Sequence, residues 1–198
     1  LRRFADEHGL ALVTIEALLG LMVFTLITGL LFARFSRPQA RILFSDQAII
    51  APYRGGRAFE FRIANALPSP LIEVEAKGMF SRIERDGERE LRKFTALDLE
   101  LSQVTFLAMS WTIVHPIVES SPLWGVDEAT LIEKQAEFLV LLSGVDESFS
   151  QTVHARASYV PTEIVWNARF ANIFLPRVGN EPVGIDVRKL SAIEAVSP

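Results

Sequence analysis

The chain has 198 residues, enough to bury a sizeable hydrophobic core without disulfide or metal staples. It contains no cysteine, which excludes a disulfide framework, a thiolate zinc site and a cysteine nucleophile. Its formal net charge of −4 argues against a dedicated nucleic-acid-binding protein. Residues 1–40 carry four basic and three acidic residues, whereas residues 41–198 carry 16 and 21, so the acidic excess belongs to the second part.

The first element along the chain is an apolar segment from Leu10 to Phe32, with Glu16 as its one charged residue. Its 23 residues extend about 35 Å as an α-helix at ~1.5 Å per residue. A hydrocarbon core of about 30 Å is spanned by such a helix with some tilt. The segment therefore predicts a transmembrane helix. A buried helix of a soluble protein and a cleaved signal peptide are the alternatives.

Four residues of this segment recur at every fourth position: Gly20, Phe24, Thr28 and Phe32. On a helix they form one slanting face. Such a face packs against another helix through its small residues, or it lines a pore that phenylalanine rings close by dewetting. Periodicity alone leaves both interpretations open. Glu16 is a separate functional candidate, because an ionisable residue in a membrane segment must face protein, a wet cavity or the interface.

Basic residues follow the apolar segment closely, at positions Arg34, Arg37 and Arg41. Cytoplasmic flanks of membrane helices are enriched in such residues, so the part of the chain after the helix is predicted to be cytoplasmic. The expected location is the cell (inner) membrane.

After Pro38 the hydrophobic period changes from that of a helix to the alternation typical of strands. Strand-like runs are predicted at 41–52, 58–65, 71–80, 90–101, 110–115, 137–143, 152–159, 163–170 and 182–187. Turns are predicted at 54–57, 86–88, 143–146 and 178–180, and one short helix at 127–134 with Asp127 as its N-cap. Many short strands without long helices between them predict an all-β sandwich or barrel.

No nucleotide-binding, metalloprotease or serine-hydrolase motif occurs in the sequence, so no catalytic residue is predicted. No metal site is expected either, because carboxylates do not lie at ligand spacing from the three histidines, His8, His115 and His154. His115 is interpreted as a hydrogen-bonded residue at a strand end rather than as a base. Ser120 and Ser121 are interpreted as turn hydroxyls that cap the region of Asp127.

Several motifs in a fixed order carry a family resemblance. The run HPIVESSPLW at 115–124 resembles the H-P-I-x-x-x-S-P-L-[YFW] signature of inward-rectifier potassium channels, and ARFSRP at 33–38 resembles their membrane-proximal segment. Further matches are ILFS at 42–45, AII at 48–50, FRIAN at 61–65, the strand and turn at 137–144, ARASY at 155–159 and EIVW at 163–166. The pattern is most similar to the bacterial branch of the family.

The resemblance implies a subunit of a homotetrameric potassium channel. Residues 1–40 would hold the second, pore-lining transmembrane helix and a membrane-proximal linker, and residues 41–198 a cytoplasmic immunoglobulin-like β-sandwich. The expected fold class is thus a membrane α-helix plus an all-β domain. Permeant K⁺ is the expected ion, with no other cofactor, and the broad class implied is that of voltage-gated channels.

The resemblance also assigns roles to the helix face, which becomes the pore lining. Gly20 would be a hinge, since a missing Cβ permits bending. Phe24 falls where strongly rectifying relatives carry an acidic residue, so weak polyamine block is expected. Phe32 would form the narrowest hydrophobic gate, four rings meeting at the crossing of the helices. Phosphoinositides or other anionic lipids would bind the basic residues after the helix, Arg34, Arg37 and Arg41, for which a plain stop-transfer anchor is the alternative.

One departure from the family is large. No T-x-G-[YF]-G filter sequence occurs in the 198 residues, and position 1 is Leu, which fits a fragment that starts after the filter. Four filter loops supply the carbonyls that replace the hydration shell of K⁺, so this chain alone is not expected to conduct selectively. A natural subunit without a filter is the alternative explanation. The second functional hypothesis is a single-pass membrane protein that displays an immunoglobulin-like binding domain.

Overall fold

The computed structural model describes residues 2–35, 42–66, 69–87, 89–148, 150–176 and 183–196. The chain divides into two compact units, Leu1–Gln39 and Ala40–Pro198. Arg37, Arg41 and the predicted turn at 178–180 lie outside the described residues.

The first unit contains one long α-helix, α1 (Arg2–Phe35). Its segment Gly9–Phe32 has 24 residues and a mean hydropathy of 2.4, long and apolar enough to cross a membrane. Every side chain from position 9 to position 32 is exposed. The core helix of a soluble domain would hide most of these side chains, so this chain provides no support for that alternative.

The second unit is built mainly of strands. Its elements are β1 (Ile42–Phe44), β2 (Ala48–Tyr53), β3 (Gly56–Asn65), β4 (Leu71–Asp86), β5 (Arg89–Leu97), β6 (Gln103–Leu107), β7 (Ser110–Ile117), α2 (Glu128–Glu133), β8 (Glu137–Asp146), β9 (Gln151–Tyr159), β10 (Ile164–Trp166), β11 (Ala168–Phe170) and β12 (Ile193–Ala195). Two single turns of 3-10 helix, Pro161–Glu163 and Val187–Lys189, complete it. The predicted class, one apolar helix followed by a mostly β domain, is confirmed; the immunoglobulin-like assignment stays a prediction.

Two five-stranded sheets form the body of this unit. In the first sheet β3 is central and pairs antiparallel with β7 and with both β1 and β2, while β10 runs parallel to β2. The second sheet has the order β5-β4-β8-β9, and β6 also pairs with β4. A small antiparallel pair, β11 with β12, forms a third sheet.

The core lies between the two large sheets and contains side chains from both. Phe59 of the first sheet stacks on Phe138 of the second, with ring centroids 4.2 Å apart. Phe61, Phe80 and Tyr159 surround this pair and are at most 2% exposed. Burial alternates along β8, because successive side chains of a strand point to opposite faces. The two sheets are thus the two layers of a sandwich, and aromatic rings pack between them.

The chain after β10 covers the outer face of the first sheet. Ala64 of β3 packs with Ile173 and Leu190 in one small cluster. Ala51 of β2 packs with Ala168 of β11 in another. The small side chains of β2 and β3 therefore allow a third layer to approach the sheet closely.

Two local predictions differ from the structure. The run at 163–170 is broken at Asn167, which has a positive φ of 53° and donates its N–H to the Ile50 carbonyl. The turn predicted at 143–146 is wrong, since β8 continues to Asp146. There Gly144 lies against Val74, where a Cβ would come within 3.0 Å of a methyl carbon. Glycine therefore serves close strand packing at this position rather than a turn.

Other local predictions have mixed outcomes. The short helix and its cap are confirmed, because the Thr130 N–H donates to the Asp127 carboxylate over 2.9 Å at the start of α2. The run at 41–52 is interrupted after Phe44 and forms β1 and β2. β6 and β12 were not predicted. In the described part of 182–187, Ile185 makes only an isolated bridge to Phe174.

Replacing one buried ring tests the packing of the two sheets. We expect Phe138→Ala to lower the free energy of unfolding by about 3–5 kcal/mol, because it leaves a cavity beside Phe59. The matched control is Phe106→Ala on β6, where the ring is 68% exposed and the change should stay within about 0.5 kcal/mol. Denaturant unfolding of the detergent-solubilised chain, followed by the circular dichroism of the strands, measures both. Equal losses would contradict the packing described.

Candidate functional site

The candidate pore face is a stripe along α1. Each step of four residues advances about 6 Å along a helix and turns about 40° around it, so Gly20 and Phe32 lie ~18 Å apart along the axis. Phe24 and Phe32 are 68% and 73% exposed. We call these four residues the helix stripe: Gly20, Phe24, Thr28 and Phe32. Glu16 lies one further step before Gly20, about 40° from it but about 160° from Phe32 around the helix, and so stays a separate candidate.

The polar side chains of α1 are partly satisfied within the helix. The Thr28 hydroxyl donates to the Phe24 carbonyl over 2.8 Å. Thr14 and Thr25 make equivalent bonds to carbonyls four residues earlier. A hydroxyl that bonds to its own helix adds little cost in a bilayer. Gly20 has open space around its missing Cβ, as do Gly9 and Gly29 of the same helix.

Arg34 lies in the last turn of α1 and is exposed. A cation there interacts favourably with the partial negative charge of the helix C-terminus. The other two predicted lipid contacts, Arg37 and Arg41, lie outside the described residues. The lipid-binding role of all three, like the gate and hinge roles of the stripe, stays a prediction.

No metal centre accompanies the stripe. Over the described ranges, no three or more histidine, aspartate or glutamate side chains are placed to hold a metal ion. The chemistry available is therefore that of apolar rings, one intramembrane carboxylate and a basic helix end.

Residues of the motifs that carry the resemblance make three sets of buried contacts between remote segments of the β-domain, and we call each set a tie. In the first tie, the Tyr159 hydroxyl at the end of β9 donates to the Ser45 carbonyl over 3.0 Å. The Ser45 hydroxyl in turn accepts the Arg62 N–H over 3.1 Å. Burial raises the pKa of Tyr159 to about 12. Segments more than 100 positions apart are thus joined by a buried phenol.

The second tie is the side chain of Arg62, which is 8% exposed. Its Nη1 donates to the Ala171 carbonyl over 2.8 Å, and its guanidinium lies 4.5 Å from the ring centre of Phe170. Burial lowers the pKa of Arg62, and the neighbouring Glu60 raises it. A guanidinium is tolerated here because a carbonyl and an aromatic face compensate for its lost water. This tie fixes the third layer to the first sheet.

The third tie centres on His115 of β7, which is 2% exposed. Its Nδ1 lies 2.7 Å from the Asp98 carbonyl oxygen, and its Nε2 lies 2.8 Å from the Ser121 Oγ. Since a carbonyl can only accept, Nδ1 carries the hydrogen and Nε2 accepts from the Ser121 hydroxyl. Ser121 also accepts the Leu123 N–H over 3.1 Å. We call this arrangement the histidine latch.

The latch confirms one prediction and corrects another. His115 is a hydrogen-bonded residue near a strand end, as predicted. Ser121 does not cap α2, because the turn after β7 folds its hydroxyl back onto the ring of His115, and Asp127 itself caps α2. Sequence reasoning missed Asp98 as a partner of His115, and it missed the pairing of Ser45 with Tyr159. Ser45, Tyr159 and His115 lie within matched motifs, whereas Asp98 lies outside them, and spacing alone reveals neither pair.

The comparisons with known proteins agree with this geometry. The family model described as the inward rectifier potassium channel C-terminal domain matches residues 42–198. The chain belongs to the inward rectifier potassium channel family. It is 38% identical over 164 residues to the inward rectifier potassium channel Kirbac3.1 of Paramagnetospirillum magnetotacticum, covering 82% of this chain and 56% of that protein.

Animal relatives match over a similar part of the chain. Identity to the inward rectifier potassium channel irk-1 of Caenorhabditis elegans is 29% over 185 residues, covering 89% of this chain and 34% of the relative. Identity to the G protein-activated inward rectifier potassium channel 2 of Mus musculus is 28% over 174 residues, covering 84% and 41%. The chain thus spans about half the length of the bacterial relative and less of the animal ones.

The predicted family and its bacterial type are confirmed by these matches. The matched relatives are named as ion channels, and α1 is long and apolar enough to cross a membrane. The voltage-gated class is wrong: the matched proteins are inward rectifiers. A voltage-sensing helix is rich in arginine, whereas the one charged residue within Gly9–Phe32 is Glu16.

The two tyrosines of the chain allow the first tie to be measured directly. In a Tyr53→Phe variant, Tyr159 is the remaining phenol, and we expect its absorbance titration to have a midpoint near pH 12. The ordinary value is about 10, so the folded state should lose stability as pH rises from ~10 towards ~12, where the unfolded chain ionises first. A midpoint near 10 with the strand signal intact would contradict a buried phenol.

Proposed function

We propose that the chain is the pore-lining helix and cytoplasmic domain of an inward-rectifier-type potassium channel that acts as a homotetramer. The observation that carries the proposal is the order of the parts: an exposed apolar helix, a basic helix end, and then the β-domain of this family. Because no filter sequence occurs in the chain, selective conduction belongs to an assembly that includes one.

The helix stripe provides the ion path of this assembly. Four copies of α1 would direct their stripes towards a common axis, and each copy would place one Phe32 ring at the same depth. A ring of aromatic side chains offers K⁺ no ligand and holds little water, so it closes the path by dewetting. Phe24 offers no carboxylate either, which supports weak block by polyamines.

The charge of the second part fits a domain beside a cation path. Residues 41–198 carry five more acidic than basic residues, and such an excess raises the local concentration of cations. This supports a cytoplasmic position for the β-domain, as do the basic residues after the helix. Anionic lipid headgroups, phosphoinositides among them, would bind those basic residues, Arg34, Arg37 and Arg41.

The alternative, a single-pass protein that displays a binding domain, is not favoured. A binding domain of that kind needs no gate and no lipid-facing arginines, and its relatives would not be expected among proteins named as potassium channels. Chemical cross-linking in mild detergent separates the two hypotheses, because the channel predicts a four-copy product and the alternative a single copy.

Removing the proposed gate tests the role of Phe32. In a chimera that joins the outer helix and filter of the bacterial relative to this chain, Phe32→Ala should raise K⁺ flux into liposomes several-fold, because water then fills the constriction. The matched control is Leu30→Ala, which removes an apolar side chain from the opposite side of the helix. Flux that Phe32→Ala leaves unchanged, or that both variants raise equally, would contradict the gate.

Neutralising the basic helix end tests the lipid proposal. In the same chimera, Arg34→Gln with Arg37→Gln should shift the phosphoinositide concentration for half-maximal effect on flux by about thirtyfold. This follows from about 1 kcal/mol for each basic residue near an anionic surface. Arg85→Gln with Arg89→Gln, on the β4–β5 hairpin, changes the charge equally and should leave that concentration unaltered. If Arg34→Gln with Arg37→Gln left that concentration unshifted, the result would contradict lipid binding by these arginines and would favour a plain stop-transfer anchor.

A further inference from the structure

The segment after β7, residues 118–126, is attached to the domain at three points. These are the histidine latch, the buried Leu123, and Arg82, whose Nη1 donates to the Pro122 carbonyl over 3.3 Å. Leu123 of this segment is buried in the core, whereas Val118 and Trp124 are exposed. Within the segment, the Ser121 hydroxyl donates a hydrogen bond to Nε2 of His115. A cavity of about 250 Å³ lies beside the ring, lined by His115, Ser121 and residues of the β5–β6 connection.

The latch works only with a neutral imidazole. Protonation places a hydrogen on Nε2, which then can no longer accept from the Ser121 hydroxyl. Ser121 Oγ already accepts the Leu123 N–H, so it would have to accept a second N–H while its own proton lost its acceptor. A buried donor without an acceptor destabilises the folded arrangement, and so does burial of the new charge.

The surroundings of His115 do not remove this cost. Asp98 faces the ring through its carbonyl and also raises the pKa of His115 electrostatically, but burial outweighs it and lowers that pKa. Glu100, which lines the same cavity, is bound by the Tyr53 hydroxyl and by Arg54 at 2.6 Å.

The other elements next to His115 add little charge to its surroundings. Across the sheet, the residue of β3 opposite His115 is Phe59, which does not titrate. In the segment itself, Glu119 is exposed. The nearby carboxylates are therefore either engaged or in water.

We propose that the His115–Ser121 hydrogen bond is an acid-released latch on residues 118–126. Acidification would protonate His115 and turn Nε2 from an acceptor into a donor, which leaves the Ser121 hydroxyl without its acceptor. The attachment of the segment with its apolar side chains Val118, Leu123 and Trp124 would then weaken. The inference does not depend on channel activity, since it concerns a contact within the β-domain. It provides the domain with a proton-sensitive surface next to a cavity.

The sign of the effect follows from the ordinary histidine pKa of 6.5. Because the latched state has the lower pKa, the latch contributes its full stability above pH ~6.5 and loses it as pH falls. Each unit by which the latched pKa lies below 6.5 allows up to a tenfold gain in the released population.

Hydrogen exchange of the detergent-solubilised chain at pH 7.5 and pH 5.5 tests the proposal, with protection factors corrected for the intrinsic pH dependence. We expect protection of residues 118–126 to fall several-fold, up to about tenfold, at pH 5.5, while β3 keeps its protection. The variant His8→Gln with His154→Gln leaves His115 as the only histidine and should behave like the wild type. At pH 7.5, nitrogen NMR of that variant should show that Nδ1 of His115 carries a hydrogen and that Nε2 does not.

The latch variant His115→Gln should lose the acid response, with protection of 118–126 that changes less than twofold between the two pH values. If the His115→Gln variant does not fold, hydrogen exchange of the wild type and of the single-histidine variant still tests the proposal. Protection of 118–126 that is independent of pH in those two proteins would overturn the proposal. So would a full acid response in a folded His115→Gln protein.

Discussion

A helix that exposes apolar side chains on every side cannot remain in water, and this constraint governs the whole molecule. Burial of apolar surface is worth roughly 25 cal/mol per Å², so a span such as Gly9–Phe32 has a large driving force to enter a bilayer. Lipid satisfies its leucines and isoleucines but not Glu16, whose carboxylate needs protein or water. Because Glu16 lies only about 40° from Gly20 around the helix, copies of the helix gathered around the stripe would bring its carboxylate next to protein at the Gly20 end, although it is turned about 160° from Phe32.

The β-domain has a different constraint: its buried contacts must hold remote segments of one chain in a fixed arrangement. Stacked rings between the two sheets supply the packing, and three buried ties supply the specificity. Each tie uses a residue of a family motif: Ser45 with Tyr159, Arg62 with Ala171, and His115 with Ser121. These motifs identify the family because they build the domain. The proposed path and lipid contacts lie instead on and beside the helix.

The features that could be predicted from the sequence are those with a local cause. The helix follows from uninterrupted apolarity, most strands follow from alternation, and the Asp127 cap follows from a side chain bonding three residues ahead. The predictions that differ from the structure concern residues whose contacts come from remote parts of the chain. The residue types around Gly144 predict a turn, whereas the glycine packs against Val74 of another strand. The direction of the Ser121 hydroxyl depends on a chain reversal and on Asp98, 17 positions from His115. The period of the helix stripe is present in the sequence itself, and the structure adds the continuous helix that carries it.

The most direct test of the account is the water accessibility of the helix stripe. The chain has no cysteine, so in a cysteine-free chimera with the relative's filter each variant carries one thiol. Thr28→Cys and Phe32→Cys place it on the stripe, and Leu26→Cys and Leu30→Cys place it on the opposite side. In liposomes, we predict that a charged, water-soluble thiol reagent modifies the stripe cysteines at least about tenfold faster than the others. Equal rates, or faster modification of the opposite side, would contradict a stripe that lines an ion path.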